Sequence, residues 1–216
     1  MNPVINLIKE QKRNKNKITA ESPRDVGWVE KKLTEAEYQF VWHCINNVGE
    51  THSKKSIRDG LAGNMSASYE LKDIENLFWK STVCGMIDEY NKSFNPFEGT
   101  MHMNKWWVNY QNQTEFNPLH THTGVFSFVI WMKIPTDYRE QKKLPFANPS
   151  NSKTISNFVF TYTDLLGKIS SKSYKMSPEK EGMMVLFPAA LNHEVYPFYN
   201  CDDTRISVSG NISYCQ

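Results

Sequence analysis

Hydrophobic positions change their period about half-way along the chain. From Thr34 the run TEAEYQFVWHCIN reads as a helix. Thr34 and Glu37 have the spacing of a capping box, and Tyr38, Val41, Trp42 and Ile45 recur on one face up to Gly49. A second helix is expected from about Asp73 through IENLFWKSTVCGMIDEY, where Ile74, Leu77, Phe78, Ile87 and Tyr90 suit one face and Gly85 is the weak point. Between the two, SIRDGLAGNMSASYEL carries Gly60, Gly63 and several small residues and reads as a loop, either a connector or a lid. After NPFEG the pattern becomes strand-like. MNKWWVNY, VFSFVIWMKI, SNFVFTY, MMVLFP, HEVYPF and TRISVSGNI are short β-branched and aromatic runs separated by Pro, Gly, Asn and Asp. No long helical pattern interrupts them, which argues against a parallel βαβ sheet. The expected fold is mainly β, with N-terminal helices packed on an antiparallel barrel or double-sheet jelly roll.

Composition narrows the setting. The 216 residues are 39% hydrophobic and 13% aromatic, enough for one sizeable core with a helical annex. The expected organisation is a polar basic arm over 1–30, which includes QKRNKNK, a helical support region over 31–100 and a β core over 101–216, all in one structural domain. A formal charge of +2 gives no field that would recruit nucleic acid or a membrane surface. The 4 cysteines show no CxxC spacing, so a reducing cytoplasm is the plain expectation. No apolar stretch approaches the roughly 20 residues that span a bilayer, and the N-terminus has charges where a signal peptide needs an apolar centre.

Against that frame of strands, FNPLHTHTG stands out. On an extended segment residues i and i+2 point the same way, so His120 and His122 present two imidazoles to one cavity. A surface or core role is the commoner fate of such a pair. His193, at the start of a later strand, changes the balance, because strands distant in sequence meet across a jelly roll. Three nitrogen ligands with open positions suit iron or zinc in a catalytic role. Arg205 and Ser207 again have i, i+2 spacing and place a guanidinium and a hydroxyl on one face of an apolar strand. A buried Arg needs an anion, supplied by Asp202 or Asp203 at the surface or by the carboxylate of a bound small molecule.

The order His120-x-His122, distal His193, then Arg205-x-Ser207 resembles the 2-oxoglutarate/Fe(II)-dependent oxygenases, whose pattern is His-x-Asp/Glu, distal His, Arg-x-Ser. More specifically, Trp107-Val108-Asn109, NPLHTHTGVFS, GMMVLFPAALNHEV, RISVSGNI and LAGNMSASYEL are similar to the prolyl-hydroxylase-like group, which includes many oxygenases of marine bacteriophages. The resemblance covers about residues 60 to 212. It implies a cupin-like double-stranded β-helix, with Fe(II) held by His120, His122 and His193. It also implies 2-oxoglutarate as cosubstrate, its distal carboxylate on Arg205 and Ser207, and Asn109 facing it. The implied activity is hydroxylation of a small-molecule or peptide substrate, with release of succinate and CO2; the implied location is a cytoplasm, the host's if phage-encoded. One residue departs from the family pattern: His122 stands where an Asp or Glu is usual, which removes one negative charge from beside the metal.

Other readings stay open at this stage. A cupin-type dioxygenase uses three histidines without 2-oxoglutarate. Reading His122-Thr123-Gly124 as His-x-Gly resembles the halogenases and leaves His120 without a role. A non-catalytic metal-binding barrel is the blandest of these alternatives, and a homodimer is open under any of the readings. Glu194 is expected to face away from His193, Tyr110 away from Asn109, and His43, His52 and His102 have no partner at ligand spacing. Trp106-Trp107 is expected to be packing, with one ring in the core and the other at a surface or helix interface. The polar insert DYREQKKLPFANPSNSKT reads as a solvated loop with a chance of bordering the site.

Overall fold

The computed structural model of the protein describes residues 27–48 and 62–215. Most of the expected N-terminal arm, together with Gly49, His52 and Gly60, lies outside the described residues. In chain order the elements are β1 (Val29–Lys32), α1 (Glu35–Asn46), β2 (Ala67–Glu70), α2 (Cys84–Ser93), β3 (Met101–Gln111), β4 (Asn117–His120) and β5 (Phe126–Lys133). After them come α3 (Tyr138–Gln141), β6 (Phe158–Thr163), β7 (Ile169–Tyr174), β8 (Met183–Pro188), β9 (Asn192–Val195) and β10 (Arg205–Tyr214).

The strands form two antiparallel sheets, as the mainly β jelly-roll expectation requires. The larger has the order β1-β8-β5-β10-β3-β2 and the smaller β4-β9-β6-β7. Alternation along each strand of the larger sheet feeds two cores. One face, with Trp106, Val108, Phe128 and Ile130, packs against Val41, Phe78, Val83 and Tyr90 of the helical region. The opposite face, with Val129, Trp131, Val185 and Phe187, packs against Phe158, Phe160 and Tyr174 of the smaller sheet. The helices therefore close one face, and the space between the sheets is left to build a site.

α1 follows its sequence signature: Thr34 Oγ1 accepts from the backbone N–H of Glu37, and Glu37 accepts from the backbone N–H of Thr34 at 2.9 Å. The second helix is less regular than its apolar spacing predicts. Glu75 and Asn76 have φ of 54°, so the chain turns there, and the Asp73 carboxylate caps a later start by accepting from the backbone N–H of Phe78 and Trp79. A wide helical turn over Trp79–Val83 then leads into α2. The turn takes Ile74 and Leu77 off the buried face, leaving them 42% and 46% exposed, whereas Phe78, Ile87 and Tyr90 are buried as expected.

Two segments expected to be irregular contain strands. The end of the supposed arm forms β1 against β8, and the loop before the second helix contains β2, paired with β3. Asn64 is bridged to Phe116, which fastens residues 62–65 over the region just before β4.

Candidate active site

β4 and β9 lie side by side at the end of the smaller sheet, and His120 is the register partner of His193. β4 stops at His120, so His122 sits in the following turn, where its backbone N–H is held by the carbonyl of Ala189 at 2.8 Å. The side chains nevertheless converge: the ligand atoms of all three histidines lie within 4.8 Å of one another. The carbonyl oxygens of Pro118 and Leu191 can only accept, so His120 Nδ1–H donates to Pro118 at 2.7 Å and His193 Nδ1–H donates to Leu191 at 2.9 Å. Each ring is thus fixed in the tautomer that leaves its Nε2 lone pair free. His122 Nε2 stands 3.1 Å from His193 Nε2.

Burial keeps these rings neutral. It lowers His193 to about 3 and His122 to about 4, with nearby His120 adding to both shifts, and it lowers His120 as well. His122 can donate its Nε2–H to the free lone pair of His193, and three neutral imidazoles gathered in this way make a donor set for a divalent transition metal once that shared proton leaves.

The same cavity contains Arg205. The guanidinium is buried; Nη1 donates to Gln111 Oε1 at 3.3 Å and Nη2 to the carbonyl of Ser156 at 2.9 Å, and its Cζ lies 4.8 Å from the Phe198 ring centre. The aspartates that a surface pairing would need are engaged elsewhere: Asp203 binds Lys133 at 2.7 Å and Asp202 accepts from Gln113. Burial pulls Arg205 down to about 9, and its Nε has no hydrogen-bond partner among the described residues. Such a cation is costly without a counter-charge, and the cavity it faces is where an anion would come.

Gln111, Ser156 and Phe198, which shape the guanidinium's surroundings, were not among the residues singled out from sequence. Gln111 shares a face with Asn109 and was legible by alternation; Ser156 acts through its backbone carbonyl at a φ of 64°, for which no residue-type signal exists. The insert DYREQKKLPFANPSNSKT ends two residues before Ser156, and none of its residues lines the cavity. Its start forms α3, where buried Gln141 holds Tyr199 by two hydrogen bonds at 2.8 Å.

Ser207 and Asn109 also line the cavity and are register partners on β10 and β3. The Asn109 amide is already engaged: Oδ1 accepts from Ser68 Oγ at 2.8 Å and Nδ2 donates to Ser209 Oγ at 3.2 Å. Tyr110 turns to the opposite face and meets Tyr69. The Trp106-Trp107 expectation holds for one ring, which meets the helical region, and needs correction for the other. Trp106 is in the core beside Phe78, but Trp107, also buried, faces the cavity, with its indole edge-on to His122 at 6.2 Å. Both faces of the central strand β3 are covered, so alternation leads to two different interiors rather than to an interior and a surface.

A family model described as putative 2OG-Fe(II) oxygenase matches residues 105–211, a span that contains all of these side chains on β3, β4, β9 and β10. The chain belongs to the 2-oxoglutarate/Fe(II)-dependent oxygenase superfamily. Solved structures agree on the fold. A Pseudomonas putida prolyl-4-hydroxylase is 13% identical with a TM-score of 0.55, covering 88% of this chain and 94% of its own. A Trichoplax adhaerens prolyl hydroxylase, in complex with a hypoxia-inducible-factor peptide fragment, is 12% identical with a TM-score of 0.55, covering 87% and 83%. HygX from Streptomyces hygroscopicus, with nickel, 2-oxoglutarate and hygromycin B bound, is 8% identical with a TM-score of 0.51, covering 88% and 83%. No curated protein sequence matches.

This oxygenase is therefore a dioxygenase that uses Fe(II) and 2-oxoglutarate. Both groups fit the donors present. The imidazole lone pairs suit the metal, and the buried guanidinium without a carboxylate suits the dianion. The His-x-Gly register loses its support, because His120 stands with its ring centre 4.2 Å from that of His193 and Gly124 has a backbone reason to be glycine. Its φ is 108°, and a Cβ there would meet the Ile212 carbonyl oxygen at 2.6 Å. No helix among the described residues is long and apolar enough to cross a membrane.

Proposed function

We propose that this oxygenase hydroxylates an unactivated C–H bond of a small-molecule or peptide substrate. His120, His122 and His193 hold Fe(II), and Arg205 with Ser207 holds the distal carboxylate of 2-oxoglutarate. The observation that carries this is the sharing of one cavity by a neutral three-imidazole cluster and a buried guanidinium whose Nε lacks a partner among the described residues. Bound together, metal and cosubstrate supply the activation of O2 that oxidises the C–H bond while 2-oxoglutarate becomes succinate and CO2.

The chain's own contribution is to bind and to orient. The carbonyls of Pro118 and Leu191 hold the Nδ1 protons of His120 and His193, so their Nε2 lone pairs need no reorganisation when metal arrives. Gln111, Ser156 and Phe198 hold the guanidinium in place before the anion comes. Val129, Trp131, Phe158, Met176 and Phe187 give the cavity apolar walls, which restrict water around the charged groups. A dioxygenase working without 2-oxoglutarate leaves Arg205 with no task. The two relatives described with bound molecules hold a peptide in one case and hygromycin B in the other, which supports keeping both substrate classes.

The test is anaerobic titration of the Fe(II)-loaded protein with 2-oxoglutarate. A saturable visible charge-transfer band, given only by chelation of the 2-oxo acid, is the expected result. Bound iron without that band would overturn the reading.

A further inference from the structure

A line of polar side chains crosses the floor of the cavity from β2 to β10. Ser68 is the register partner of Asn109, and Asn109 that of Ser207. Ser209 lies two residues further on, on the same face and diagonal to Asn109. Ser68, Asn109, Ser207 and Ser209 all line the cavity. The hydrogen bonds run one way: Ser68 Oγ–H donates to Asn109 Oδ1 at 2.8 Å, and Asn109 Nδ2–H donates to Ser209 Oγ at 3.2 Å. A hydroxyl that accepts from the wall keeps its own proton to give elsewhere.

The position of Ser209 says to what. Its register partner is Trp107, the residue whose indole meets His122, whereas Arg205 pairs with Gln111 at the other end of the run. Arg205 and Ser209 are separated by about 13 Å of strand. A ligand held at its far end by Arg205 and Ser207 meets Ser209 at its histidine end, where 2-oxoglutarate carries its 2-oxo acid group. Both ends of that dianion are acceptors, which is the complement of a free hydroxyl proton. We propose that Ser209 donates a hydrogen bond to the 2-oxo acid end of 2-oxoglutarate, and that Ser68 and Asn109 are positioning residues that turn its proton into the cavity.

The inference rests on the reading of the site given above, and the same anaerobic titration separates the two. Ser209→Ala is expected to raise the apparent Kd for 2-oxoglutarate about tenfold and to move the band maximum, because the lost hydrogen bond was made to the chelating group. Ser207→Ala is expected to weaken affinity while leaving the maximum in place. Asn109→Asp can only accept, so it draws the Ser209 proton to the wall. It should reproduce the Ser209→Ala affinity and band position, with no further change in the double variant. Ser209→Thr restores the hydroxyl and should restore both readings. A melting temperature for each variant, taken without ligand, accounts for loss of fold, which does not move a band maximum. A native protein that gives no band overturns the site reading and this inference with it. A native band that Ser209→Ala leaves unchanged in affinity and position overturns only the role of Ser209. A shift in Ser209→Ala with none in Asn109→Asp overturns the positioning role of Ser68 and Asn109.

Discussion

Burial pushes each of the four groups that define the cavity toward its neutral form, and this helps the histidines while it works against Arg205. For the histidines, neutrality is what a metal needs, and desolvation supplies it. For Arg205 the charge is the useful form, and the Gln111 and Ser156 acceptors orient it without neutralising it. This makes Arg205→Lys a severe change despite the conserved sign. An ammonium cannot reach both acceptors in the plane of the guanidinium, and it desolvates at greater cost. Arg205→Lys should keep Fe(II), measured by metal analysis after desalting. It should raise the 2-oxoglutarate Kd by about 100-fold, the equivalent of losing a bidentate charge-assisted pair. Retained affinity would remove Arg205 from the cosubstrate site. The residues expected here from spacing alone share one cavity because period-two alternation is strict enough on β10 to be read directly. The backbone carbonyls that orient them carry no such signature.

Secondary structure was legible according to the position of each strand in its sheet. The six apolar runs correspond to β3, β5, β6, β8, β9 and β10, each with a neighbour on both sides. The strands that the pattern missed, β1, β2, β4 and β7, are the edges of the two sheets. An edge strand has a solvated side and tolerates charge, as in VEKK and ISSKSY, or a proline, as in NPLH, so its hydrophobic alternation fades. The helical region shows a parallel limit. The capping box of α1 was readable, but its Glu37 does more than cap. Its carboxylate also binds Lys31 of β1 at 2.5 Å and Thr82 at 2.7 Å, tying the edge strand and the second helical segment to the first. Burial pushes the Glu37 carboxyl up, but hydrogen bonds from Lys31, Thr34 and Thr82 outweigh it and leave it below its ordinary value of 4.5. A depressed carboxyl stabilises the fold above the unfolded value and loses that contribution as pH falls through the folded one. Glu37→Gln should therefore cost about 1–2 kcal/mol at pH 7 in urea unfolding, and the gap from the native protein should close below pH 4.5. An equal gap at low pH would show that the loss is one of packing.

On the scale of the whole molecule, the candidate site is also a joint between the two sheets. His120 and His193 belong to the smaller sheet and His122 to the turn beyond β4, whereas Arg205 and Ser207 belong to the larger sheet. The larger sheet is buried on both faces. β4, by contrast, is a four-residue edge strand with a break in register between Asn117 and His120, and among the described strands it pairs with β9 alone. Its opening should require much less free energy than global unfolding. On the proposed reading, a metal held by His120, His122 and His193 would close that weak edge, and a cosubstrate held by Arg205 would couple it to β10. Ligand binding stabilises whichever conformations retain the site, by an amount that grows with the logarithm of ligand concentration over Kd. Hydrogen exchange on the anaerobic protein should therefore be uneven. Fe(II) alone should slow the amides of β4, β9 and the turn through His122, and adding 2-oxoglutarate should extend the slowing to the start of β10. β5 and β8, already in the core, should change little at either step. Uniform slowing across both sheets would mean that the ligands act only on global stability. No slowing in β4 and β9 on addition of Fe(II) would place the metal away from the histidines.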